Sequence, residues 1–177
     1  MKLTLSYQGA LPPRQRGVSA VKAELRRAFH PQIKAQIRGF VDESNLPYLT
    51  TIVDGHSFVS PAHERFRTAV ELDILLLAPR GRRPAGDTDN RLKTLVDGLT
   101  RPANSQQMQG FTEPDDGGAT YCLMDDDRLV QRIGLDSRPW HVPQDGRTDA
   151  LVVVTATIVL GEGADNSSPV GTIFFVI

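Results

Sequence analysis

Residues 66–78 constrain the fold of this chain more than any other stretch. From Phe66 to Ala78 apolar side chains alternate through Val70, Leu72, Ile74 and Leu76, and Leu75 and Leu77 make the far end apolar on both faces. Alternation with period two predicts a strand, and a strand apolar on both faces belongs inside a sheet that is covered on both sides. Pro79 ends it, because proline has no N–H to give to a ladder. The chain therefore has to build a sheet around this segment. The residues after Pro79 leave from the end of a central strand, a position where loops often carry binding or catalytic groups.

They begin with a basic loop, Arg80-Gly81-Arg82-Arg83, and continue into Asp87-Thr88-Asp89-Asn90-Arg91-Leu92-Lys93. Leu92, Leu95, Val96 and Leu99 fall at i, i+3, i+4 and i+7, which predicts a helix with one apolar face. Asp89 and Lys93 are i, i+4 neighbours on the opposite face, and Asp87 stands at the helix entry. Two carboxylates and an amine thus gather at a helix N-terminus, whose dipole also favours negative charge. The same residues read equally as an N-cap with a solvated Asp–Lys pair behind it. Further on, the apolar run Tyr121-Cys122-Leu123-Met124 delivers Asp125-Asp126-Asp127. Three consecutive carboxylates repel one another, and a cation or basic partner relieves them. Their other reading is a solvated turn in which Asp126 or Asp127 caps the next element.

The remaining elements are read in order. Leu3, Leu5 and Tyr7 mark a first, half-buried strand. Val18 to Phe29 is helical, Pro31 is expected to break or restart the helix, and Ile33 and Ile37 carry a second piece to about Phe40. Thr50–Val53, Asp54-Gly55 and Phe58-Val59 predict a hairpin. Residues 101–120 are polar and aperiodic and read as a mobile insertion. Arg128–Leu135 predicts a strand, with a loop over 136–147 behind it that carries the only Trp, Trp140. That ring either stacks on a base or packs over the sheet edge. Asp149–Leu160 is a β-branched strand, 161–170 a linker, and Thr172–Ile177 a terminal strand that pairs with the sheet or with another subunit. Together these predict one α/β (α+β) domain over residues 1–177, with a mixed sheet of five to six strands and helices packed on it.

Charge narrows the function classes. The net charge of −1 is not that of a dedicated nucleic-acid binder, but its distribution is uneven. Residues 1–38 hold eight Lys and Arg, Arg14 and Arg16 among them, against the single acid Glu24. A basic arm and an acidic centre suit a protein that grips a polyanion with one part and metal ions with another; a solvated helix face explains the arm as well. One cysteine, Cys122, excludes an internal disulfide, and the four histidines lack zinc-site spacing. No apolar stretch is long enough to span a bilayer, and Met1–Tyr7 is too short for a signal peptide, so the expected location is the cytoplasm.

The combination Asp87-x-Asp89-Asn90-x-x-Lys93, then Asp97-Gly98-Leu99, then Asp126-Asp127 with Val130 beyond, preceded by Pro79–Arg83, resembles the RusA-type Holliday-junction resolvases and their phage and prophage relatives. The resemblance covers residues 80–135, about a third of the chain. It implies a RusA-like fold with catalytic aspartates at Asp87, Asp89 and Asp127, or Asp126 if the register slides by one, and a functional lysine at Lys93. It also implies a homodimer that binds a four-way DNA junction and nicks two opposed strands.

The residues allow that chemistry. Mg²⁺ takes one or two carboxylates plus water and substrate phosphate, and Asp87, Asp89, Asp126 and Asp127 offer the oxygens, with Mn²⁺ as a possible substitute. One ion, or two about 4 Å apart, can activate water and stabilise a leaving oxygen. Lys93 offers positive charge to a phosphoryl transition state. Arg80, Arg82 and Arg83, with Arg14 and Arg16 of the arm, are the candidate DNA contacts. Two other readings stand beside the junction endonuclease. One is a non-catalytic DNA-binding relative whose acids serve caps and salt bridges. The other is a metal-dependent nucleotide phosphohydrolase, for which the glycine-rich phosphate loop of P-loop proteins is missing.

Overall fold

The computed structural model describes residues 1–11, 18–79, 88–141 and 150–160. They form a mixed α+β fold, as expected, with the strands divided between two sheets rather than gathered in one. The larger sheet is built from β1 (Lys2–Gly9), β4 (Thr68–Pro79), β6 (Val130–Trp140) and β7 (Ala150–Leu160), in the order β1-β7-β4-β6. β7 is antiparallel to both β1 and β4, while β6 is parallel to β4. The smaller sheet joins β2 (Thr50–Val53), β3 (His56–Val59) and the short β5 (Thr120–Tyr121). The β2–β3 hairpin turns on Asp54 and Gly55, with φ of 52° and 81°. Positive φ at both central residues is what a tight turn matched to strand twist requires.

β4 does lie inside the sheet, but its two faces differ. Val70, Leu72, Ile74 and Leu76 are buried under the helices. The opposite face starts with Glu71 and Asp73, and there Leu75 and Leu77 are only half-buried. Helix α1 (Val18–Ile37) covers the buried face through Leu25, Phe29, Ile33 and Ile37, spaced four apart. It runs unbroken through Pro31. Proline inside a helix costs about 3 kcal/mol, whereas each buried large apolar side chain contributes about 1.5–3 kcal/mol, so anchors on both sides outweigh the break. Pro31 and Arg27, whose carbonyl loses its partner, are both exposed.

Helix α2 (Thr88–Leu99) packs across α1, with Leu95, Val96 and Leu99 buried. Gly98 is where the helices come closest: a Cβ there would lie 2.6 Å from Cβ of Leu25. Gly98→Ala should therefore destabilise the fold by about 1–3 kcal/mol despite alanine's better helix propensity, read as a lower urea midpoint at unchanged slope.

The two edges of the large sheet are treated differently. Along β1, the Gln36 side chain accepts from the backbone N–H of Thr4 and donates to its carbonyl, both at 2.8 Å. Gln32 does the same for Ser6, again at 2.8 Å in each direction. Two amides one helical turn apart thus stand in for a neighbouring strand. Along β6, no described strand lies outside it.

Residues 101–120, expected to be a mobile insertion, pack onto α1 and the small sheet. Phe111 sits against His56 and Phe58, Lys34 pairs with Asp116, and His56 Nδ1 lies 2.9 Å from Glu113 Oε1. The predicted strand after the acid run continues to Trp140, so Trp140 stands at the end of the edge strand rather than in a loop. Cys122 is the only cysteine and is buried, with burial pushing its thiol up to about 12. No helix among the described residues is long and apolar enough to cross a membrane. The linker 161–170 and the terminal run 172–177 lie outside the described residues.

Two buried histidines set a pH dependence. His30 Nδ1 accepts from the backbone N–H of Tyr121 at 2.9 Å, which requires an unprotonated nitrogen. Burial lowers the proton affinity of His30 and of His63 below the ordinary histidine value. The unfolded chain then binds more protons than the folded one, so stability is full above about pH 6.5 and falls as acid protonates these rings. The urea midpoint should drop between pH 7 and 5, and His30→Gln, whose amide oxygen can accept the same bond, should flatten part of that drop.

Candidate functional site

The acid run reaches α2 because the segment before it is threaded through the core. Cys122 donates its N–H to Val59, Leu123 to Leu99 and Asp125 to Ala62, each at 2.9 Å. One side of the segment is thus tied to β3 and the other to the end of α2. Leu123 and Met124 are fully buried there. Arg26 of α1, itself only 4% exposed, closes the same end of α2: its Nε donates to the Thr100 carbonyl at 2.8 Å and an Nη to that of Asp97 at 2.9 Å. These are the carbonyls a helix terminus leaves without partners.

The three aspartates have three different environments. Asp125 is drawn inward, ion-paired with Arg101 and placed 3.6 Å from His63 Nε2. Asp126 caps a 3₁₀ turn over Asp127–Leu129, accepting from the Arg128 N–H and from its guanidinium, both at 2.9 Å. The Arg128 guanidinium holds the Asp126 carboxyl down to about 2. Asp127 points the other way in its chemistry. Partial burial, with the neighbouring carboxylates of Asp126 and Asp97, raises its proton affinity.

Asp127 lines a cleft of about 500 Å³ between α2 and β6, together with Asp89, Lys93 and Asp97 from α2. Leu92, Val96, Val130 and Ile133 form its apolar wall. Residues 38 positions apart in the chain, Asp89 and Asp127, therefore face one space. Asp126 lines a smaller polar hollow next door, which shares Asp97 and Asp127 with the cleft and is bordered by Lys22, Arg26 and Arg101. Arg132 borders the cleft, but its guanidinium is committed to Asp73, at 3.0 Å, and Glu71. Asp87, Arg80, Arg82, Arg83, Arg14 and Arg16 lie outside the described residues.

Sequence reasoning missed Asp97 as a cleft carboxylate. The i, i+4 spacing from Lys93 carried the signal, because Asp89, Lys93 and Asp97 repeat every four residues along one helix face. It also missed Lys22, which reaches Asp97 at 2.6 Å from α1. No periodicity announces a contact of that kind.

The donors suit a hard cation in kind, being carboxylate oxygens with no His or Cys among them. Among the described residues no three His, Cys, Asp or Glu side chains converge closely enough to cage an ion. Asp89 and Asp127 would be the protein ligands here, and water and phosphate would complete the shell, a division of labour that Mg²⁺ accepts and zinc does not. Compared with protein-family models the chain matches none, and no curated protein matches it.

Proposed function

We propose that this chain is a RusA-like, metal-dependent endonuclease that cuts branched DNA, with a four-way junction as its substrate. One observation carries the reading: Asp89 and Lys93 of α2 share a cleft with Asp127, which arrives from a separate, core-anchored segment. Asp87, at the entry to the same helix, would add a third carboxylate. A bound Mg²⁺ or Mn²⁺ would supply an activated water and charge stabilisation for phosphodiester hydrolysis.

The protein's own groups do the rest. Asp89 and Asp127 hold negative oxygens on two sides of the cleft and orient what binds between them. Lys93 places a positive charge beside the phosphoryl group, where charge grows in the transition state. Leu92, Val96 and Ile133 make one wall apolar, which strengthens each of these interactions. Arg80, Arg82 and Arg83, and Arg14 and Arg16 of the basic arm, would hold the phosphate backbone outside the cleft. Two copies in a closed pair would set one cleft against each scissile strand. A cytoplasmic location goes with DNA as substrate.

A second reading has its own support. Asp125 sits in a buried ion pair, Asp126 in a cap and Asp97 in a bridge to Lys22, which is how a non-catalytic DNA-binding relative would use its acids. Cleavage of a synthetic four-way junction and a matched linear duplex separates the two. With Mg²⁺, paired nicks are expected in the junction alone, absent with chelator and absent in Asp89→Asn, which should still fold and bind. Binding without cutting in either metal would establish the non-catalytic reading. A protein that neither binds nor cuts DNA would turn attention to small nucleotides.

A further inference from the structure

We propose that Lys22 of α1 is a positioning residue for Lys93: by holding the Asp97 carboxylate, it keeps the Lys93 amine unpaired and open to a phosphate in the cleft. The proposal rests on the endonuclease reading of that cleft, and adds to it a residue that touches neither cation nor substrate.

Helix α2 itself poses the problem. Asp89, Lys93 and Asp97 repeat every four residues along it and line one cleft. On a helix, a lysine placed between two such aspartates has a carboxylate within reach on either side. An amine paired in that way has its charge already answered and has less to offer a phosphate. Among the described residues, however, no ion pair engages Lys93. In the endonuclease reading Asp89 and Asp127 face the cation. Asp97 is then the described cleft carboxylate left to compete for the amine.

Helix α1 takes that competitor out of play. Lys22 Nζ lies 2.6 Å from Asp97 Oδ2, with the two side chains only 24% and 29% exposed. One turn further along α1, Arg26 donates to the Asp97 carbonyl at 2.9 Å. Asp97 is thus held by side chain and main chain from the same neighbouring helix. The close approach at Gly98, where a Cβ would lie 2.6 Å from that of Leu25, fixes the separation of the two helices at this point. Lys22 therefore stays across from Asp97. Asp97 borders both the cleft and the polar hollow, and Lys22 stands on the hollow side, away from Lys93. A bridge that served the fold alone would be indifferent to the state of Lys93. This one governs it.

Acylation of the Lys93 amine by acetic anhydride, read by peptide mass spectrometry on the full chain in Mg²⁺, tests the proposal beside single-turnover junction cleavage. Amines react as the free base, and a facing carboxylate holds the proton on. Lys22→Met keeps most of the apolar stem and releases Asp97 to Lys93. Acylation of Lys93 should slow by about threefold and cleavage by about tenfold. Lys22→Gln should behave in the same way, and urea midpoints show that each variant is folded in the assay. Lys22→Arg, whose guanidinium can hold the same carboxylate, should recover most of both rates. Lys22→Met/Asp97→Asn should acylate and cut faster than Lys22→Met, because the competing charge is gone. Unchanged acylation of Lys93 in Lys22→Met would overturn the proposal. So would a double variant no faster than the single one, which would make the bridge structural or Asp97 itself a working carboxylate. Acylation needs no catalysis, so the two readings fail separately. A protein that shows the acylation pattern and never cuts keeps the role of Lys22 and loses the nuclease, whereas a nuclease whose Lys93 ignores Lys22 does the reverse.

Discussion

Asp127→Asn should lower metal-supported junction cleavage by about 10²-fold or more, while Asp126→Asn should leave most of it. The two carboxylates are adjacent in the chain and opposite in circumstance. Asp126 is spent on the N–H and guanidinium of Arg128 and lies outside the cleft that Asp89 and Lys93 line. Asp127 lies inside it, where partial burial and then neighbouring negative charge raise its proton affinity. Removing the Asp127 charge therefore removes an oxygen donor from the reacting centre. Removing that of Asp126 loosens a cap, at a cost of about 1 kcal/mol or less for so exposed a group. Single-turnover cleavage by the two variants, beside their urea midpoints, reads both quantities. Equal losses of rate would mean that the acids act as a pair. A larger loss in Asp126→Asn would move the site toward the polar hollow that Asp126 lines.

The largest effect on stability is expected at Arg101. Its guanidinium neutralises Asp125, whose side chain is only 10% exposed. Arg101→Met keeps much of the apolar stem and removes the charge, leaving a carboxylate in the interior with Thr51 at 3.5 Å and His63 at 3.6 Å as its described side-chain contacts. Breaking a buried pair from one side costs about 3–5 kcal/mol, since the remaining charge has lost its compensation. Chemical denaturation should show that loss. Combining Arg101→Met with Asp125→Leu should recover much of it, because the second change removes the stranded charge. A loss in the double variant as large as in the single one would mean that the pair acts mainly by fixing the course of the segment after Met124.

Local patterns were legible in the sequence where one element decides its own shape. Alternation gave β1 and β4, β-branched content gave β7, the Asp54-Gly55 turn gave the hairpin, and the spacing of Leu92, Leu95, Val96 and Leu99 gave α2. The juxtaposition of Asp89, Lys93 and Asp127 was foreshadowed only through a resemblance, since nothing local says that residue 127 returns to residue 89. Misreadings arose where tertiary contacts overrode local preference. Pro31 looked like a break because its anchoring partners lie on other strands. Residues 101–120 show no periodicity because their contacts, among them Arg101 with Asp125, Phe111 with Phe58 and Asp116 with Lys34, reach other elements instead of forming one of their own. β6 looked shorter because its second half takes its partners from β4 rather than from a pattern of its own. Arg26 gave no signal at all: a basic residue on an amphipathic helix reads as solvated, and only the crossing of α1 over α2 turns it inward.

The glutamine pair on β1 has a consequence for how far this molecule can assemble. Strand addition propagates into fibres when every newcomer brings a fresh unpaired edge. Among the described residues the larger sheet has its β1 edge already answered by its own helix, so an incoming strand finds the backbone groups of Thr4 and Ser6 taken. Growth of the larger sheet from its β1 side is closed off by two side chains of the protein's own helix.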